Sequence, residues 1–371
     1  MGIKGLRDLI KREFKNGSFE YIYPSSDFHG KSIAIDASIY LYIYKSTHGQ
    51  DFLKPFEAMI NIFKDENISL IFVFDGQHPE EKLIEQKKRN SQRELQKKKF
   101  KDLSDDLENY KHNGKISDNL QKAHDKYLNK NSSYKNLTGF SYFIAKNSLE
   151  KIKNNIIDLT PQDILGLKDL LDMYDVKYFH AHGEAEVIAS SMVKQKIVDA
   201  VMTRDSDALA CGATTIITNV NLYSKELTVI NFQNILTTFN LSYESWLDLC
   251  IMCGTDYNTN IPKIGPVRSL QLIRQYKSLE EISKTNDTEI LNFKIVRNLF
   301  KTPFDENIWK GLQETVIDEN TVIDENTVID ENTVIDEKQE ATITNVSTIE
   351  SKDAFDCNLL HNSLLVDEKG E

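Results

Sequence analysis

This sequence of 371 residues predicts an α/β fold, with a largely parallel central sheet flanked by helices. Two observations carry the prediction. The apolar, β-branched runs "KSIAIDAS", "LIFVFDG" and "VDAVMTRDSD" have the continuity of strands buried on both faces, and stretches of helical composition separate them. Each run also ends in acid, at Asp36, at Asp75, and at Asp205 with Asp207. Ligands of open parallel sheets collect beyond the carboxyl ends of the strands, which is where these acids fall.

The chain opens with "MGIKGLRDLIKREF", a short amphipathic helix without an apolar stretch of signal-peptide length. Nowhere do about eighteen apolar residues follow one another, so neither secretion nor a membrane span is expected. Leu6 also breaks the N-myristoylation pattern, which wants Ser or Thr there. After the strands ending at Asp36 and Asp75, residues 82–101 carry nine Lys/Arg against two Glu in helix-favouring company. By itself such a run reads as a solvated helix face. Residues 102–157 are rich in Asn, Lys and Ser and short of periodic apolar residues, which reads as a mobile, mostly helical insertion projecting from the core.

"DVKYFHA" (175–181) is a fourth candidate strand, leading into Glu184 and Glu186 where a helix, "EAEVIASSMVKQ", begins. "ATTIITN" and "KELTVIN" form a later strand pair joined by a short polar turn. Cys250 and Cys253 are spaced C-x-x-C inside the apolar helical run "WLDLCIMCG". A structural zinc site needs two further ligands of similar quality, so buried thiols in a reducing compartment are expected instead. Beyond Trp309 come four hexads, "TVIDENTVIDENTVIDENTVIDEK", without an aromatic residue; disorder is expected, with a hexad β-helix as the sharper alternative.

The net charge of −12 is unevenly spread. Residues 312–371 hold 16 acids and 3 bases, and residues 1–311 hold 41 acids and 42 bases. A body that is neutral while several of its acids bind metal presents a basic remaining surface, so nucleic acid is not excluded as a partner.

The acids themselves point to a metal. Residues i and i+2 of an extended segment face the same way, so Asp205 and Asp207 can share a site. Glu184 and Glu186 fall at a helix start, where unpaired N–H groups favour negative charge. With Asp36 and Asp75 they make six acids on one sheet edge, and Asp256, in "MCGTDYNTN", is a candidate seventh. Hard oxygen ligands in that number suit Mg²⁺ or Mn²⁺, and a pair of such ions is suited to phosphodiester hydrolysis. Any one acid alone could instead merely cap a helix or end a strand.

As an ordered set, "MGIKGL", "AIDAS", "VFDG", "GEAE", "TRDSDAL" and "CGTDY…IPKIGPVRSLQLI" resemble the motifs of the flap endonuclease family, the structure-specific 5′ nucleases that include the exonuclease-one and xeroderma-group-G branches. The resemblance covers roughly residues 1–300 apart from most of 102–157. It implies a PIN-like 5′ nuclease core over 1–310, with an arch and cap insertion over about 77–160 and a helix–two-turn–helix over about 242–276; the composition makes residues 311–371 an acidic, repeat-containing tail for which disorder is expected. It implies that Asp36, Asp75, Glu184, Glu186, Asp205, Asp207 and Asp256 hold two Mg²⁺ or Mn²⁺ ions. Lys82 and Arg89 match the basic pair that contacts the scissile phosphate; their seven-residue spacing, about two helical turns, puts both on one face. Gly2 matches a near-terminal glycine lying close to the site once Met1 is removed. Tyr42 matches the aromatic on which a base stacks, with Tyr40 a nearby competitor.

The same resemblance implies that Asn260, Ile261 and Ile264 offer backbone carbonyls to a K⁺ ion, and that Gly265 and Arg268 lie near duplex phosphates. Lys263 stands where the family usually has glycine and Val267 where a basic residue is common, and both departures bear on duplex affinity. From residue 310 onward Phe355 is the only aromatic, so the family's sliding-clamp box is absent. The expectation is a monomeric nuclease acting on branched, flapped or gapped DNA in a nucleus or viral replication compartment. A processive 5′→3′ exonuclease, a non-catalytic DNA-binding relative and a calcium-binding protein are the rival readings.

Overall fold

Sheet topology in the computed structural model follows from the strand runs. Residues 2–308 are described, except Asn16, 132–133, 135–137, Asn155 and Glu306, and the hexad repeats and acidic tail lie outside the described residues. The strands are β1 (Tyr21–Pro24), β2 (Ser32–Asp36), β3 (Ser69–Phe74), β4 (Lys177–His180), β5 (Ala200–Met202), β6 (Thr215–Asn221) and β7 (Glu226–Asn231). They form one mixed sheet in the order β1-β7-β6-β5-β2-β3-β4. β6, β5, β2, β3 and β4 run parallel, β7 turns back antiparallel to β6, and β1 pairs antiparallel with β7.

Burial on both faces explains the continuous apolar runs. From Ile33 to Asp36 every residue of β2 is buried. Ile33, Ile35, Phe72, Phe74 and Met202 join a core with Tyr44, Phe56, Met59, Phe63 and Leu171 from helices Ala37–His48, Leu53–Asp65 and Pro161–Met173. The alternate strand residues turn to the other face, where helix Ala185–Lys194 packs against β2, β3 and β5 with Ala185 to Val193 all buried. Register then sets the site: Ile35 lies beside Phe72 on one side and Met202 on the other, so β2, β3 and β5 end together.

β1 is absent from the sequence reading. Its apolar run, Tyr21 to Tyr23, is only three residues long, all four of its residues are exposed and it ends in proline, so it is too short to print a strand pattern. The insertion between β3 and β4 is helical, as expected, but it also has a small core of its own. Leu103 and Leu107 of helix Leu83–Asn113 meet Leu120 of helix Asp118–Lys130 and Ala145 of helix Tyr142–Asn154, with Tyr110, Phe140 and Leu149 around them. Cys211, Cys250 and Cys253 are buried free thiols, as the C-x-x-C reading expects. Among the described residues no helix is long and apolar enough to cross a membrane.

Candidate active site

Each acid at the strand ends is fixed by the backbone that follows it. Asp36 closes β2 and caps helix Ala37–His48, accepting from the Ile39 amide at 3.1 Å and from the Thr203 hydroxyl at 2.8 Å. Asp75 follows β3 and accepts from the Ala185 amide at 2.9 Å, tying it to the helix that carries Glu184 at its N-cap and Glu186 in its first turn. Asp205 lies beyond β5 and accepts from the Asp207 amide at 3.1 Å, while Asp207 opens helix Asp207–Cys211. Asp256 follows helix Tyr243–Cys253 and is buried.

Three of these acids meet closely. Asp75, Glu184 and Glu186 each bring one carboxylate oxygen to within 4.8 Å of the other two. The remaining four join through their fields: Asp36 feels Asp75, Glu186 feels Asp36 and Asp205, and Asp207 feels Asp205 and Asp256. Burial, reinforced by the charge of Asp75, pushes the Asp36 carboxyl up to about 8. Burial and acidic neighbours push Glu186 and Asp207 well above the usual carboxylate range. Asp205 is raised too, burial being the main cause. One oxygen of Asp207, Oδ1, is buried without a hydrogen-bond partner. An oxygen-only donor set with an unpartnered buried carboxylate oxygen fits a hard divalent cation.

Two cations face this cluster from the insertion. The Lys82 side chain is only 11% exposed; its ammonium donates to Glu184 Oε2 and lies 3.9 Å from Asp256 Oδ2. Burial disfavours the Lys82 charge, but Glu186 and Glu184 outweigh it and hold the ammonium protonated more firmly than usual. Arg89, two turns along, donates to Asp256 Oδ2 at 2.6 Å. The common face that their spacing requires is therefore turned to the acids.

His78 is a further member that sequence reasoning missed. Its Nδ1 lies 2.8 Å from Glu184 Oε1. Burial pushes Glu184 up, but the bond from His78 and the charge of Lys82 outweigh it and keep its carboxyl below the usual range. No spacing in the sequence could have announced this pair, because the two residues stand 106 positions apart.

Gly2 lies against the acids: a Cβ there would come within 2.1 Å of Asp205 Oδ1 and 2.8 Å of Asp207 Oδ1, and its φ of +90° also favours glycine. Of the two candidate aromatics, Tyr40 is buried in the core, whereas Tyr42 is half-buried and its hydroxyl accepts from Arg93 at 3.4 Å. Asn260, Ile261, Ile264 and Gly265 follow Asp256 in the segment between helix Tyr243–Cys253 and helix Pro266–Tyr276, and Arg268 lies in the first turn of that second helix. The Ile261 and Ile264 carbonyls converge, both accepting from the Asn260 side-chain amide, at 3.3 and 3.0 Å. Gly265 and Arg268 are exposed.

The family model described as the XPG N-terminal domain matches residues 1–96, and the XPG I-region matches residues 175–256. The RAD2-like endonuclease 095R of Frog virus 3 is 31% identical over 294 residues, covering 76% of this chain and 78% of that protein. Flap endonuclease 1 of Nematostella vectensis is 29% identical over 325 residues, covering 82% of this chain and 76% of that one. The catalytic core of Rad2, solved in complex with DNA substrate, shares the fold with a TM-score of 0.52 at 18% identity, over 85% of this chain and 95% of that one. With both family regions present, and each containing its share of the clustered acids, this chain belongs to the XPG family, the structure-specific 5′ nucleases that include the RAD2-like and flap endonucleases.

Proposed function

We propose that this nuclease is a Mg²⁺- or Mn²⁺-dependent flap endonuclease that cuts DNA near single-strand/double-strand junctions, leaving a 3′-hydroxyl and a 5′-phosphate. The observation that carries the reading is the convergence of Asp75, Glu184 and Glu186, with Lys82 bonded to Glu184 and Arg89 to Asp256. Asp36, Asp75, Glu184, Glu186, Asp205, Asp207 and Asp256 are the residues that would hold two divalent ions. Bound there, the ions supply the positive charge that activates a water and stabilises the leaving oxygen in phosphodiester hydrolysis.

The chain's own residues do the rest. Lys82 and Arg89 take the scissile phosphate and offset the charge that builds on it in the transition state. Gly2, with no side chain, lets the chain start lie against Asp205 and Asp207. Tyr42 stacks a base beside the scissile bond, since Tyr40 is buried. The insertion is the arch through which the 5′ strand passes. Gly265 and Arg268 hold the duplex backbone, and the carbonyls of Asn260, Ile261 and Ile264 would hold K⁺, two of them converging on the Asn260 amide. The enzyme acts as a monomer, in a nuclear or viral replication compartment, without a clamp box in its tail.

The reading is tested by cleavage of a 5′-labelled double-flap DNA with Mg²⁺ against EDTA, beside the Asp205→Ala protein. One cut near the junction, lost with EDTA and in the variant, is expected. A ladder of mononucleotides would move the assignment to the exonuclease branch, and intact DNA with normal binding would sink it.

A further inference from the structure

We propose that His78 is a positioning residue for Glu184, fixing the orientation in which that carboxylate meets a divalent ion. The inference rests on the reading of Glu184 as a metal ligand, and on the geometry around His78. The chain leaving β3 is clasped to the chain leaving β4. The Ala181 amide donates to the Phe74 carbonyl at 2.9 Å, and the Gly76 amide donates to the Gly183 carbonyl at 2.9 Å. Gly76 has no space for a side chain, since a Cβ would lie 1.8 Å from the Ala181 carbonyl oxygen. His180 adds a ring contact from Nδ1 to the Asp75 carbonyl at 3.1 Å.

This clasp sets His78 directly over Glu184. Pro79 holds the following bond, and a residue that precedes proline is restricted to extended backbone, which limits where the imidazole can go. An ionised carboxylate only accepts, so the 2.8 Å contact makes Nδ1 the protonated nitrogen and leaves Nε2 on the outer side of a ring whose side chain is 38% exposed. Glu184 is thus held at both oxygens, by His78 at Oε1 and by Lys82 at Oε2. Each oxygen keeps a second lone pair for an ion. Two fixed donors suppress rotation of the carboxylate and so lower the ordering cost of coordination, as outer hydrogen-bond partners of metal ligands do.

The test compares His78→Ala, His78→Asn and His78→Gln in the full chain, with Mn²⁺ uptake followed by electron paramagnetic resonance of the free ion in the absence of DNA. The Asn amide nitrogen can occupy the place of Nδ1, whereas that of Gln reaches the place of Nε2. His78→Ala and His78→Gln should weaken Mn²⁺ binding by about 10-fold or more, the range seen when such partners are lost, with KM for DNA at saturating Mn²⁺ unchanged. His78→Asn should restore most of the affinity. Equal Mn²⁺ affinity in His78→Ala and wild type, or no recovery in His78→Asn, would overturn the assignment. A wild-type chain that takes up no Mn²⁺ would instead sink the metal-site reading, and this inference with it.

Discussion

Asp36 is buried beside a second carboxylate, Asp75. Burial and the nearby Asp75 raise its carboxyl to about 8, from 3.8 for an unperturbed aspartate. Between those values the folded chain binds a proton that the unfolded chain has released, so the stabilisation is complete below about 4 and is lost as pH rises towards 8. With EDTA present, the wild-type melting temperature should therefore fall across that window and the Asp36→Asn profile should be flatter. Parallel profiles would show that Asp36 titrates normally. Lys263 makes a separate case in backbone conformation. It has a φ of +66° and an exposed side chain, so replacing it removes strain and little packing. Lys263→Gly should stabilise the chain by about 0.5–1 kcal/mol, the left-handed penalty being partly offset by glycine's greater unfolded freedom. Lys263→Ala keeps the Cβ and should melt with wild type; an equal gain in both variants would make charge the cause.

At the level of elements, the insertion tests as a unit distinct from the sheet. Leu103 is 2% exposed and sits where its three helices meet, far in contact terms from the sheet core. Leu103→Ala should cost about 2–5 kcal/mol of local stability and speed amide exchange in helices Asp118–Lys130 and Tyr142–Asn154, leaving β2, β3 and β5 protected. Exchange that accelerates across the sheet as well would mean that the two cores unfold together. The same contrast explains what the sequence makes legible. A parallel strand buried on both faces spells its core in consecutive residues and ends it with the functional acid, so Asp36, Asp75 and Asp205 stand out. The insertion spreads Leu103, Leu107, Leu120 and Ala145 over three helices, too few in each to print a period. His78 meets Glu184 only through the clasp between the ends of β3 and β4, and β1 is fixed by its antiparallel pairing with β7.

Charge operates over the whole molecule. Residues 1–311 carry one more base than acid, while residues 312–371 carry 16 acids and 3 bases. Within the body, Asp75, Glu184 and Glu186 gather with further acids in electrostatic reach, facing Lys82 and Arg89, which leaves a surplus of bases for the remaining surface. A tethered run of acids lowers the attraction between that surface and phosphate at any geometry in which it comes within a Debye length, about 8–10 Å at physiological salt. Deleting residues 312–371 should therefore raise affinity for flap DNA several-fold at low salt. The difference should shrink as salt rises, because both the DNA contacts and the competing acids are screened. Fluorescence anisotropy of one labelled double flap, measured from low to high salt for the full and shortened chains with Ca²⁺ in place of Mg²⁺, reads this directly. Two parallel lines in log affinity against log salt would assign the tail a role that is not electrostatic. Coincident lines would mean that its charge is spent before DNA arrives.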